Sequence, residues 1–153
     1  MIQGVQFLGS DIPFVSCTAC QHYCESVCKV DGDYLHGEGQ IEINGHKYEK
    51  GIVQHANGQA SFILGRMYSK FSACIGISKY SSNPKCGVTI GDARFRVSGD
   101  NVVLRDWEVK GSPGDPTCFE IDVLDVDVLM LEVDNNGTRN CDFSTWADAK
   151  IIK

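Results

Sequence analysis

No apolar run in the 153 residues approaches the ~20 needed to span a bilayer as a helix. Sustained helical periodicity is also missing, which argues against a bundle or coiled coil. The start, MIQGVQFLGS, has no basic end followed by an apolar stretch and does not read as a signal peptide. The expectation is a cytosolic protein or a mature secreted form. Repeats, low-complexity tracts and linkers are absent, so 1–153 reads as one domain, long enough to bury a core. Lys and Arg are missing from residues 111–138, which carry Asp115, Glu120, Asp122, Asp125, Asp127, Glu132 and Asp134. With 14 basic against 20 acidic residues, the formal net charge is −6. Such a surface repels phosphate backbones and anionic headgroups, which argues against nucleic acid and membrane insertion. Catalytic signatures are missing too: there is no G-x-S-x-G elbow, P-loop, dinucleotide fingerprint or H-E-x-x-H pair. Glycoside hydrolysis needs two carboxylates set across a sugar, and no motif singles out a pair among the acids. The chain reads as a non-enzyme.

Cysteine, by contrast, is plentiful: Cys17, Cys20, Cys24, Cys28, Cys74, Cys86, Cys118 and Cys141. An even count in a small, loop-rich chain points to disulfides and an oxidising compartment, hence to a secreted protein. The stretch CTACQHYCESVC offers four thiols and His22, but structural zinc sites pair two knuckles separated by a dozen or more residues. Its spacing also matches neither common ferredoxin run. Disulfides are the favoured reading, with Cys74–Cys86 the expected local pair. Asn136 begins an Asn-Gly-Thr sequon, a candidate glycosylation site.

Most of the chain reads as short strands at regular spacing, the pattern of an antiparallel sandwich. Ile41 and Ile43 alternate with Glu42 before Asn44-Gly45, a strong hairpin signal. Phe71, Ala73, Ile75 and Ile77 share one face at period two, as do Phe95 and Val97 against Arg94 and Arg96. A turn at Gly99-Asp100-Asn101 leads into Val102–Val109. Phe119, Ile121 and Val123 form another face, and Leu129, Leu131 and Val133 point inward. The one helix candidate is 16–28, with Ser16 as its cap.

Four motifs then stand in order: EINGHKYEKGIVQHANGQASFILG, KFSACIGI, ARFRVSGDNVVL and CDFSTWADAKI. Together they resemble the NPCBM domain, the group that includes carbohydrate-binding module family 51, over about residues 40–153. The resemblance implies an all-β, antiparallel sandwich of jelly-roll type, here with a disulfide-rich N-terminal loop. It also implies sugar binding in loops at one end, often of galactose-containing glycans, and a structural calcium in some members. Two departures stand out. SCTACQHYCESVCKV replaces a tryptophan-containing loop, and Phe143 and Thr145 occupy places that usually hold a histidine and an aspartate before Trp146.

A sugar pocket needs an aromatic face for the ring's C–H patch and a few fixed polar groups for its hydroxyls. His55 donates at one nitrogen and accepts at the other, and Asn57, two residues on, offers both amide functions. On extended backbone the two share a face. Asp142 is a candidate acceptor for vicinal hydroxyls, and Arg139 a donor. Phe143, Tyr23 and Trp146 are the candidate platforms, with Trp146 reading equally well as a core residue, while Trp107 reads as a covering or contact residue. Glu38 and His36 are weaker candidates. Asp31 and Asp33, with Glu38, are the candidate calcium ligands, although a plain acidic turn reads as well; no cofactor is required. The function expected is that of a lectin for galactose or terminal galactosides. Weak single-site binding would be offset by multivalency, worth ~10²–10⁴ in avidity, so a homo-oligomer is expected. Two alternatives stay open: a disulfide-rich protein-interaction module, and an accessory domain of a larger glycosidase.

Overall fold

The computed structural model describes residues 4–18, 29–31, 40–55, 57–77, 93–109, 114–135 and 143–153, with the backbone alone at Lys29, His55, Asn135 and Phe143. Among these residues every regular element is a strand. One sheet runs β11 (Thr117–Asp122), β8 (Lys70–Ile77), β13 (Phe143–Ile152), β6 (Gly51–His55) and β3 (Lys29–Val30). β13 is long enough to take two neighbours on one side. Its first half pairs with β6, and its end pairs with β1 (Val5–Phe7) beyond a bulge between Ala147 and Lys150. Asp148 sits in the bulge at φ 53°. The facing sheet runs β10 (Val102–Val109), β9 (Ala93–Gly99), β12 (Val128–Asn135), β7 (Gly58–Ile63) and β2 (Ser16–Thr18). All pairings within both sheets are antiparallel, as expected of a jelly-roll sandwich.

The period-two faces close on one core. Phe71, Ala73, Ile75 and Ile77 meet Phe95, Val97, Leu129, Leu131 and Val133 across the layers. Trp146 sits at the centre, fully buried, with the Phe95 ring 5.1 Å and the Phe71 ring 6.4 Å from it, centroid to centroid. Trp107 lies half-buried on this core with its ring 4.3 Å from that of Phe119, the covering role expected of it.

A smaller hairpin, β4 (Ile41–Ile43) with β5 (His46–Tyr48), lies against the outer face of the first sheet. Asn44 (φ 46°) and Gly45 (φ 87°) form its left-handed turn, as the Asn-Gly pair requires. Ile41 and Ile43 bury against Val53 and Ala147. Two glycines clear the floor for them: a Cβ on Gly76 would lie 2.5 Å from Ile43 Cγ2, and one on Gly51 2.8 Å from Ile41 Cδ1.

Two expectations are corrected. Ser16–Thr18, the start of the candidate helix, is strand β2, because Ser16, Cys17 and Thr18 pair with Ser61, Ala60 and Gln59 along the free side of β7. The rest of that candidate, 19–28, lies outside the described residues. Cys74 bonds to Cys118, not Cys86. β8 and β11 are neighbours, and Cys74 and Cys118 are direct partners in their register, so proximity in the sheet overrides proximity in sequence. The bridge ties the edge strand β11 to β8. Its sequence separation of 44 corresponds to about 4 kcal/mol in the chain-entropy picture. Cys17 is also disulfide-bonded; Cys20, Cys24, Cys28, Cys86 and Cys141 lie outside the described residues, as does Asn136.

At one end of the sandwich, the β9–β10 turn places Asp100 (φ 50°) and Asn101 (φ 68°) in left-handed conformation. The Asp100 carboxylate accepts hydrogen bonds from the amides of Val128 (2.9 Å) and Asp127 (3.2 Å). The Val128 and then the Asp127 amide hold this carboxyl below its ordinary value of 3.8. A depressed native pKa means the stabilisation is complete above the unfolded value near 3.8 and fades as pH falls through the lower native value. Asp100→Asn is therefore expected to reduce the acid dependence of the denaturant midpoint below about pH 4. Midpoints measured at pH 7, 4 and 2 check this, and an identical pH dependence in the two proteins would refute it.

Candidate functional site

The other end of the sandwich brings His55, Asn57 and Phe143 together. β6 finishes at His55, β7 starts at Gly58, and β13 starts at Phe143. His55 and Phe143 are direct partners in the β6–β13 register. The pairs Ser144↔Ile77, Asn135↔Ala93, Val109↔Ala93, Thr18↔Gln59 and Thr117↔Ile75 bring the ends of β8, β12, β9, β10, β2 and β11 to the same rim. The described ends of these strands therefore stand at one level.

The floor beneath the rim is polar and buried. Gln54, Ser144 and Thr145 are each fully buried. Gln54 Oε1 accepts a hydrogen bond of 2.8 Å from Trp146 Nε1. Buried polar groups persist where hydrogen bonds satisfy them, and such contacts hold neighbouring backbone in one place. Gln54 was not singled out in the sequence. Its position between Val53 and His55 in a strand otherwise buried on both faces was the available signal.

Of the expected sugar-contacting residues, His55, Asn57 and Phe143 come together on the backbone at this rim, with Asn57 exposed in the short connection to β7. Trp146 is corrected: its indole is 0% exposed and belongs to the core, where Phe95, Phe71 and Phe119 surround it. Tyr23, Asp142, Arg139, Glu38 and His36 lie outside the described residues. Tyr23 falls in the segment between Thr18 and Lys29, and Arg139 and Asp142 in that between Asn135 and Phe143, segments that start and end at rim strands. Of the candidate calcium ligands, Asp31 has its carboxylate engaged within the protein. Oδ1 accepts from the Gly51 amide at 3.0 Å, and Oδ2 pairs with Lys50 Nζ at 3.1 Å. Asp33 lies outside the described residues.

The hairpin tip reaches the same rim. Asn44 Nδ2 donates to Asp115 Oδ1 at 2.8 Å, and His46 Nε2 stands 3.7 Å from that oxygen. Asp115 is 77% and His46 56% exposed at the side chain. The Asn-Gly turn was legible in the sequence, but its partner, 71 residues away, was not.

Residues 10–152 match the NPCBM/NEW2 domain. The chain belongs to the NPCBM/NEW2 family. Solved structures share its fold at low identity. A CBM51 module of Clostridium perfringens GH95, in complex with methyl-galactose, superposes with a TM-score of 0.76 at 20% identity, covering 96% of this chain and 99% of that one. A structure of CBM51-2 and INT domains from Clostridium perfringens ZmpB, in complex with GlcNAc, gives 0.79 at 19% identity, covering 96% and 31%. The tandem CBM51 modules of Sp3GH98, the family 98 glycoside hydrolase of Streptococcus pneumoniae SP3-BS71, give 0.83 at 15% identity, covering 99% and 48%. The NPCBM/NEW2 domain is also 28% identical over 127 residues to a Renibacterium salmoninarum protein named for endo-alpha-N-acetylgalactosaminidase activity. The match takes in 81% of this chain but only 8% of that relative's length.

Proposed function

We propose that this NPCBM/NEW2 domain is a non-catalytic carbohydrate-binding protein that recognises galactose or terminal galactosides at the rim formed by His55, Asn57 and Phe143. The observation that carries the reading is the register pair His55–Phe143 at the end of the sandwich, above the buried Gln54–Trp146 bond. An imidazole and a carboxamide can both donate to and accept from hydroxyls, and carrying His55 on the backbone of a paired strand lowers the ordering cost of binding. A galactosyl ring differs from a glucosyl ring by one axial hydroxyl. A site built to bond that hydroxyl rejects the epimer, because a buried polar group is left unpaired at ~1–3 kcal/mol. The galactose-bound CBM51 relative supports this sugar, and the GlcNAc-bound one makes N-acetylglucosamine the competitor to test.

Disulfides and a sugar ligand fit an extracellular setting, and among the described residues no helix is long and apolar enough to cross a membrane. The short share of the Renibacterium relative that the chain covers favours a second setting for the same chemistry, as an accessory domain that holds a glycosidase to its substrate. Homo-oligomerisation would raise avidity in the free-standing case. Retention on galactose-coated resin, with release by free galactose and not by glucose or N-acetylglucosamine, is the expected result. Passage through the resin without retention would refute the reading, and release by N-acetylglucosamine alone would reassign the sugar.

A further inference from the structure

The hairpin tip gives the rim a second polar surface. Asp115 lies two residues before Thr117, which pairs with Ile75 at the rim end of β8. It therefore stands at the same end as Phe143 and His55. In the sheet order β11-β8-β13-β6, it is two strands from Phe143 and three from His55. At about 4.8 Å per strand this is about 10–15 Å, the reach of two or three linked hexoses. The tip is held there by apolar contacts, since Ile41 and Ile43 are fully buried against the sheet. The exposed polar contacts themselves add little: surface pairs of this kind are worth about 0–1 kcal/mol. What they show is that three hydrogen-bonding groups, a carboxamide, an imidazole and a carboxylate, stand side by side at the rim end. Asp115 Oδ1 takes both protein contacts, while Oδ2 faces no partner among the described residues.

We propose that Asn44, His46 and Asp115 form a second subsite that takes the hydroxyls of the second or third sugar in a chain whose first unit is the galactose at the His55 rim. The inference rests on the galactoside reading and adds to it the ligand class: a neutral, galactose-terminated oligosaccharide. Neutrality follows from charge. The exposed Asp115 carboxylate stands in the subsite itself, so a sialylated or sulfated unit meets repulsion there.

The test is calorimetric titration of the full chain with methyl galactoside and with a neutral linear trisaccharide ending in galactose. Wild type is expected to bind the trisaccharide about tenfold more tightly, the equivalent of one charge-assisted hydrogen bond. In Asp115→Ala and in Asn44→Gly, which keeps the left-handed turn, that ratio is expected to fall to about one. Equal affinities in wild type, or a tenfold ratio retained in both variants, would overturn the subsite while leaving the galactoside reading intact. Binding of neither ligand by wild type would overturn both.

Discussion

His55→Ala is expected to weaken galactoside binding at least about thirtyfold while leaving thermal stability within about 0.5 kcal/mol of wild type. The size follows from the properties of contact residues at the centre of a small site, whose truncation costs 2 kcal/mol or more. The unchanged stability follows from the fold: His55 is the last residue of β6, and its register with Phe143 is a backbone pairing that alanine keeps. Calorimetry with methyl galactoside, alongside a thermal melt, checks both halves. Wild-type affinity in the folded variant would remove His55 from the site.

Trp146→Ala is expected to have the opposite signature. Its indole is fully buried between the sheets and in edge contact with Phe95 and Phe119. Truncating such a residue costs about 3–5 kcal/mol through lost transfer energy and the cavity left behind. Against a total stability of about 5–15 kcal/mol, that is a large fraction. For a domain of this size the melting temperature is expected to drop by about 10 °C or more. Trp146→Phe keeps most of the ring, loses the donor to Gln54, and falls between the two. A Trp146→Ala protein that melts with wild type but no longer binds sugar would return Trp146 to the binding surface.

These two residues mark what was legible in the sequence and what was not. Period-two patterning exposed the core faces, because alternation along a strand is a local property: Phe71, Ala73, Ile75 and Ile77 are all buried as read. The Asn44-Gly45 turn was local too, since Asn and Gly are the residues that most readily take the left-handed backbone it needs. Trp146 was ambiguous. A tryptophan among small residues suits a sugar platform and a packed core equally well, and only its inward register decides for the core. The disulfide was misread for the same reason: Cys74 and Cys86 are near in sequence, but strand order makes Cys118 the neighbour of Cys74. Gly76 and Gly51 carried no local signal either. A Cβ on Gly76 would strike Ile43 of the hairpin, far back in the chain, and one on Gly51 would strike Ile41 and the backbone of Trp146. The family was legible through the four ordered motifs, whereas the pairing of His55 with Phe143 is a matter of strand register and shows only in the sheet.

The most direct test is to follow backbone amide resonances during titration with methyl galactoside and, separately, methyl glucoside. The account predicts saturable shifts at His55, Asn57, Phe143 and Ser144 with the galactoside only, and none at Asp100 or Asp127 at the far end of the sandwich. Shifts centred on Asp100 and Asp127, or equal responses at the rim to both sugars, would contradict it.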